Sequence, residues 1–322
     1  MRLNVVVVAA LTGVVLHWAT STTAAEPVEP PRAAAAASDE ARRLQELSPE
    51  KAAELAALPG RLQFDKLRTL SATAAAALAG HEGLLYLNGV TEMPAEVAAA
   101  LAPHKGNLTL GVQSLSVEAA AALAANEHNL AFTNLAELPL PVAEALAKHA
   151  GGAMYFPAVK TIAPAAAAAL ARHAGKGLVL DGLTDFSEER ARAFAGHRAR
   201  LHLKKVGALT VAAAEALADH PGELQLQGLR ELPADVAAAL ARVSKRSLVL
   251  DHVQTLSAEA AAAFVDHEGI LYLNGLKSLD DATAAALARH PGRVQLRGLE
   301  SISDAAAASA ESVCTWSSTR LR

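Results

Sequence analysis

One phrase occurs eleven times along this chain, each copy 22 to 24 residues after the last. Its fullest forms are Gly83-Leu-Leu-Tyr-Leu-Asn-Gly-Val90 and Gly269-Ile-Leu-Tyr-Leu-Asn-Gly-Leu276. A short polar start such as Leu256-Ser257 follows, then an alanine-rich stretch that ends Leu-Ala-x-His. A unit of this length cannot bury its own apolar face and must stack on its neighbours, so the period predicts a solenoid. Length alone would divide 322 residues into two domains, but a solenoid grows by adding units. Although 52% of the residues are apolar, only 3% are aromatic and many of the rest are alanine, so the core should be thin and made of many small contacts.

Within each unit the phrase alternates apolar and outward positions, as in Leu62/Phe64, Leu85/Leu87, Leu130/Phe132, Met154/Phe156, Leu271/Leu273 and Val294/Leu296. That is strand periodicity. Two further apolar positions, such as Leu276 and Leu279, turn the chain into the next layer. The third copy, Gly111-Val112-Gln113-Ser114-Leu115, is one residue short, which predicts a bulge or tightened turn. The second half of each unit reads as a helix of about ten residues, long enough for a parallel crossover. Ser48, Ser71, Ser116, Ser187 and Ser257 stand where they would cap it, and a glycine after the histidine, as in His81-Glu-Gly83, reads as the helix stop.

On these residues the chain resembles a leucine-rich repeat protein over about Leu44 to Ile302. It is most similar to the short bacterial forms and to the cysteine-type repeat: Leu271-Tyr-Leu-Asn-Gly-Leu-Lys-Ser-Leu-Asp-Asp281 fits that pattern, with Leu276 where the family has cysteine. The asparagine column of the commoner repeats is replaced by Val90, Leu183, Leu229 and Leu299. The resemblance implies an α/β solenoid, with parallel strands on the concave face and short alanine-rich helices on the convex face. It also implies protein binding, because catalytic activities in this family usually reside in attached domains.

Four segments follow. Residues 1–25 read as a signal peptide: Arg2, the apolar run Leu3 to Leu16, then Thr23-Ala24-Ala25 before Glu26-Pro27. An uncleaved anchor is the competing reading, since Leu3 to Thr20 nearly spans a bilayer. Export to the periplasm, cell surface or medium is expected, with no membrane association after cleavage. Residues 26–40 read as a low-complexity linker, residues 41–305 as the repeats, and 306–322 as an aberrant, disordered tail that lacks a further strand. The tail is open to two readings, an ordinary tail or a frameshift in the gene.

Eight histidines occupy one position of the repeat: His81, His104, His149, His173, His197, His220, His267 and His290. A metal needs several ligands within about 2.1 Å of one point, whereas rungs repeat at roughly 4.8 Å, so this ladder is expected to be structural and to hold no metal. The outward strand positions are free of core duty and make the better binding surface. Tyr155, Pro157 and Val179 give it an apolar stretch in the middle repeats, and Asp181, Arg200, His202, Lys204 and Lys205 place charge just beyond. An aromatic beside positive charge is a reasonable hot spot.

No His-Glu-x-x-His, nucleophile elbow or phosphate loop occurs, so neither catalysis nor a cofactor is expected. The net charge of −4 argues against a nucleic-acid partner. The expectation is therefore a non-catalytic exported scaffold for a protein or peptide. The alternative is a structural or cell-surface component that self-associates end to end.

Overall fold

Twelve short strands, Arg61–Gln63 first and Cys314–Thr315 last, lie side by side in one parallel sheet whose order follows the chain. They belong to a computed structural model that describes residues 32–243, 246–310 and 314–315. Each strand pairs only with those before and after it, and the register is strict: Leu85 with Leu108, Leu108 with Leu130, Leu178 with Leu201, Leu271 with Val294. A helix follows every strand from Arg61–Gln63 to Val294–Gln295 and packs on the helices of adjacent layers. A second, two-stranded parallel sheet joins Ser278–Leu279 to Ser301–Ile302.

The core lies between sheet and helices. The inward strand positions are buried throughout, from Leu62 and Phe64 to Val294 and Leu296, and Phe132 stacks on Phe156 at 5.3 Å. Alanines such as Ala74, Ala75, Ala166 and Ala167 face them fully buried. Alanine is the strongest helix former and carries the smallest side chain, so it lets each helix sit close to the strands.

The serines cap as expected: Ser48, Ser71, Ser116 and Ser257 accept from the main-chain N–H of Lys51, Ala74, Ala119 and Ala260. Thr210, Asp280 and Ser303 do the same for their helices. Ser187 stands at a helix start but makes no such bond; Arg190 approaches its hydroxyl at 3.4 Å instead.

Three sequence expectations change. The 26–40 linker is helix from Arg32 to Ala41, with Ala37 and Ala41 buried in the common core. A run of alanines both forms a helix and covers the open end of the first layer, where Arg42 also donates to Gln63 at 3.1 Å. The tail regarded as lacking a strand continues in helix Asp304–Ala310 and supplies Cys314–Thr315, paired with Val294 and Gln295. Strand pairing runs through the backbone, so it survives the loss of the repeat's side-chain pattern. The signal-peptide expectation falls outside the described residues.

The third change concerns the glycines. None of those following a histidine has a positive φ among the described residues, so they are not left-handed helix stops. They are glycines because nothing larger fits: a Cβ on Gly175 would lie 2.6 Å from His173 Nε2 and closer still to the Gly152 carbonyl oxygen. In the shortened third copy, Gly111 packs on the main chain of Asn88, and Val112 reaches the core without the two-residue turn found in most other layers.

Candidate functional site

The first outward column is continuous across the sheet. Tyr86 pairs with Thr109, Thr109 with Ala131, Ala131 with Tyr155, Tyr155 with Val179, Val179 with His202 and His202 with Gln225. The sheet therefore brings Tyr155, Val179 and His202 side by side, as the spacing predicts. It does not leave the whole column free. Thr109 and Ala131 are 3% and 0% exposed, and Val179 is 4% exposed. Small side chains lying between Tyr86 and Tyr155 are closed over by their larger neighbours, so only part of the face can meet a ligand. Tyr155 and His202 remain half-buried.

Charge gathers at the far edge of this group. Lys204 Nζ lies 3.1 Å from Asp181 Oδ2, and Asp181 is the more enclosed partner, at 15% against 48% side-chain exposure. Burial pushes the Asp181 carboxyl above its usual range, and Lys204 opposes that rise. Burial also depresses His202 to about 3, helped by the positive charges of Arg200 and Lys204, so its ring is neutral at ordinary pH. Tyr155 is pushed up by burial, with Arg200 pulling the other way and Asp181 adding to the rise. Tyr155, Asp181 and Arg200 thus lie within electrostatic reach of one another. Lys204 is compensated by Asp181, whereas Arg200 is half-buried and Lys205 is exposed. The expected basic patch is smaller than its lysines imply. Pro157, half-buried, lies where its carbonyl abuts Gly182.

The second outward column does structural work at both ends. Asn88 donates to Asp65 at 2.9 Å, Asn274 donates to Asp251 at 2.8 Å, and the Arg297 N–H donates to Asn274 at 3.0 Å. On the opposite side of the first column, Asn107 Oδ1 accepts from Asn129 N and Asn129 Oδ1 from Ala153 N, at 3.3 and 2.6 Å. These interlayer bonds were not read from the sequence. The signal available was the asparagine or aspartate at one register position in successive copies.

The eight histidines are buried, at most 3% exposed. Their rings stack between adjacent layers, His149 on His173 at 5.4 Å and His173 on His197 and His197 on His220 at 6.1 Å. Bonding also runs between layers: Nδ1 of His81, His197 and His267 meets the carbonyls of Ala56, Ala171 and Val243 at 3.3, 3.1 and 3.2 Å. Those carbonyls lie at the ends of the preceding helices, where no intrahelical donor remains. In one of the two repeats that replace the histidine, Asn126 takes its place and donates to the carbonyls of Ala102 and His104; in the other the position is Val243. Among the described residues no cluster of His, Cys, Asp or Glu is placed to hold a metal ion.

No family model matches the sequence, and no curated protein matches it. Among solved structures the chain is similar to the internalin InlF of Listeria monocytogenes, at 15% identity and a TM-score of 0.50, over 83% of this chain and 75% of that one. It is similar to a chain of the Toll–Spätzle complex of Drosophila (12% identity, TM-score 0.42, 80% of this chain, 42% of that one). It is also similar to a chain of the TLR13–ssRNA13 complex (16%, 0.49, 87% and 49%). The chain spans less than half the length of these last two. With parallel strands in chain order, a helix between successive layers and the internalin likeness, this chain has the α/β leucine-rich-repeat solenoid fold.

Proposed function

We propose that the chain is a non-catalytic, exported binding scaffold that takes a protein or peptide on its concave sheet face. The contact would centre on Tyr155, with Pro157 and Val179 beside it and Arg200, His202, Lys204 and Lys205 along its charged edge. The observation that carries this reading is that Tyr155 and Arg200, both half-buried, lie within electrostatic reach of each other and of Asp181, which pairs with Lys204. An aromatic and a guanidinium on one face supply residue types that dominate protein interfaces. The small buried residues to one side, Thr109 and Ala131, form a closed floor that excludes water around the anchor.

Export is proposed from the character of residues 1–25. Among the described residues no helix is long and apolar enough to cross a membrane.

The test is affinity capture with the full chain beside a Tyr155→Ala/Arg200→Glu variant. A captured partner should bind the variant at least about tenfold more weakly, the usual cost of removing an interface anchor. Equal capture by both chains would place the contact elsewhere. A Lys277→Ala control, distant in the array, should bind as wild type.

A further inference from the structure

The histidine ladder is not uniform. Asn126 and Val243 interrupt it and leave a central run, His149, His173, His197 and His220, whose planes lie 12°, 22° and 22° apart from one ring to the next. Each ring fills the seam between successive helix ends. His197 Nδ1 faces the Ala171 carbonyl, and Gly175 and Gly222 leave no room for a Cβ beside the rings of His173 and His220. The ring nitrogens of His149, His173 and His220 are buried and make no well-formed hydrogen bond; main-chain groups such as those of Ala124, Gly152 and Phe194 lie near them and only partly offset the effect of burial.

Among the described residues no carboxylate is hydrogen-bonded to or paired with these rings. The loops around the run carry Lys148, Arg172, Lys176 and Arg198 against Asp219 and Glu223, all exposed except the half-buried Glu223. Arg172 lies 3.9 Å from Glu144, and the preceding loop adds exposed Glu127 and half-buried His128. A proton placed on one imidazole would thus find no counter-ion, and its nearest titratable neighbours would be other imidazoles.

We propose that His149, His173, His197 and His220 form an acid-sensitive clasp, which opens the seam between the layers carrying Tyr155, Val179, His202 and Gln225 when the surroundings acidify. The direction follows from the buried state. An imidazole in an unfolded chain takes a proton near pH 6.5. Burial first, and the charge of neighbouring histidines second, hold His173 at about 3; burial first and His197 second hold His220 at about 4. Burial likewise lowers His149 and His197. Between those values and 6.5 the open state binds more protons than the closed one. The clasp is therefore fully closed above about pH 6.5 and weakens as pH falls.

The chain contains its own acid-insensitive replacement, since Asn126 fills the same position with an amide that does not titrate. The experiment compares wild type with the His149→Asn/His173→Asn/His197→Asn/His220→Asn variant from pH 8 to pH 4, by circular dichroism and hydrogen exchange. In wild type, amide protection should be lost first in the helices from Leu140–Leu146 to Val211–Leu217. In the variant that transition should move down by about one pH unit. Identical midpoints would overturn the proposal and assign acid opening to carboxylates. The ring titrations of wild type, followed by NMR, decide the case even if the variant does not fold: central rings that titrate near 6.5 while the fold persists would also overturn it. None of these measurements requires a ligand, so the concave-face reading and the clasp can fail separately.

Discussion

Asn126 donates its side-chain amide to the main-chain carbonyl of His104 at 2.9 Å and to that of Ala102 at 3.0 Å, and so ties one helix end to the next. Its carbonyl oxygen accepts from the His128 N–H at 2.8 Å, so one residue satisfies three main-chain groups. Replacing Asn126 with alanine leaves those groups without this partner. The expected cost is about 1–3 kcal/mol, measured by urea unfolding.

The glycines of the ladder divide by the space around them. Gly175→Ala drives a Cβ into His173 and the Gly152 carbonyl and should destabilise the chain by about 1–3 kcal/mol. Gly196→Ala meets nothing within 4 Å and sits at a helix end with φ −79. It should be neutral or raise stability by about 0.4–1 kcal/mol. Thermal unfolding of the two variants side by side checks the contrast.

The Asp181–Lys204 pair should behave as a coupled unit. Lys204→Ala leaves an enclosed carboxylate unpaired and raises its pKa further, so the variant should lose stability as pH rises through the Asp181 titration. Because Lys204 is nearly half exposed, the loss should stay near 1 kcal/mol at neutral pH. Asp181→Asn in the same chain should recover most of it. A double-mutant cycle across pH 4–8 reads the coupling directly.

His202 supplies a separate pH test on the sheet face. Its folded value of about 3 lies below the unfolded value, so its stabilising effect is present above pH 6.5 and is lost progressively toward pH 3. Each unit of acidification in that window should favour unfolding by about 1.4 kcal/mol at most from this one residue. His202→Gln should flatten the acid limb of the stability curve without moving the helix-end histidines, which are followed by their own ring resonances.

The regular parts of this molecule were legible because their chemistry repeats. Leu85, Leu108 and Leu130 share a register that spacing alone predicts, and Ser71 or Ser257 caps its helix because a hydroxyl before an alanine run has one obvious partner. The parts that escaped depend on crowding between layers. Val179 reads as outward from alternation, yet it is buried because its neighbours on the sheet are Tyr155 and His202. Gly175 reads as a helix stop until the His173 ring is in place. The alanines after Arg32 read as spacer because nothing within the segment reveals that the first layer lies beside it.

Since every strand is bonded only to its immediate neighbours, the molecule behaves mechanically as a series of links rather than as a single body. A load applied at the two ends passes through each layer in turn, and the weakest junction sets the force at which the array begins to unzip. The ring contacts are interrupted at Asn126 and Val243, so the histidines fall into runs of two, four and two along the series. Pulled from its ends, the chain should extend in discrete steps, each releasing a set number of layers.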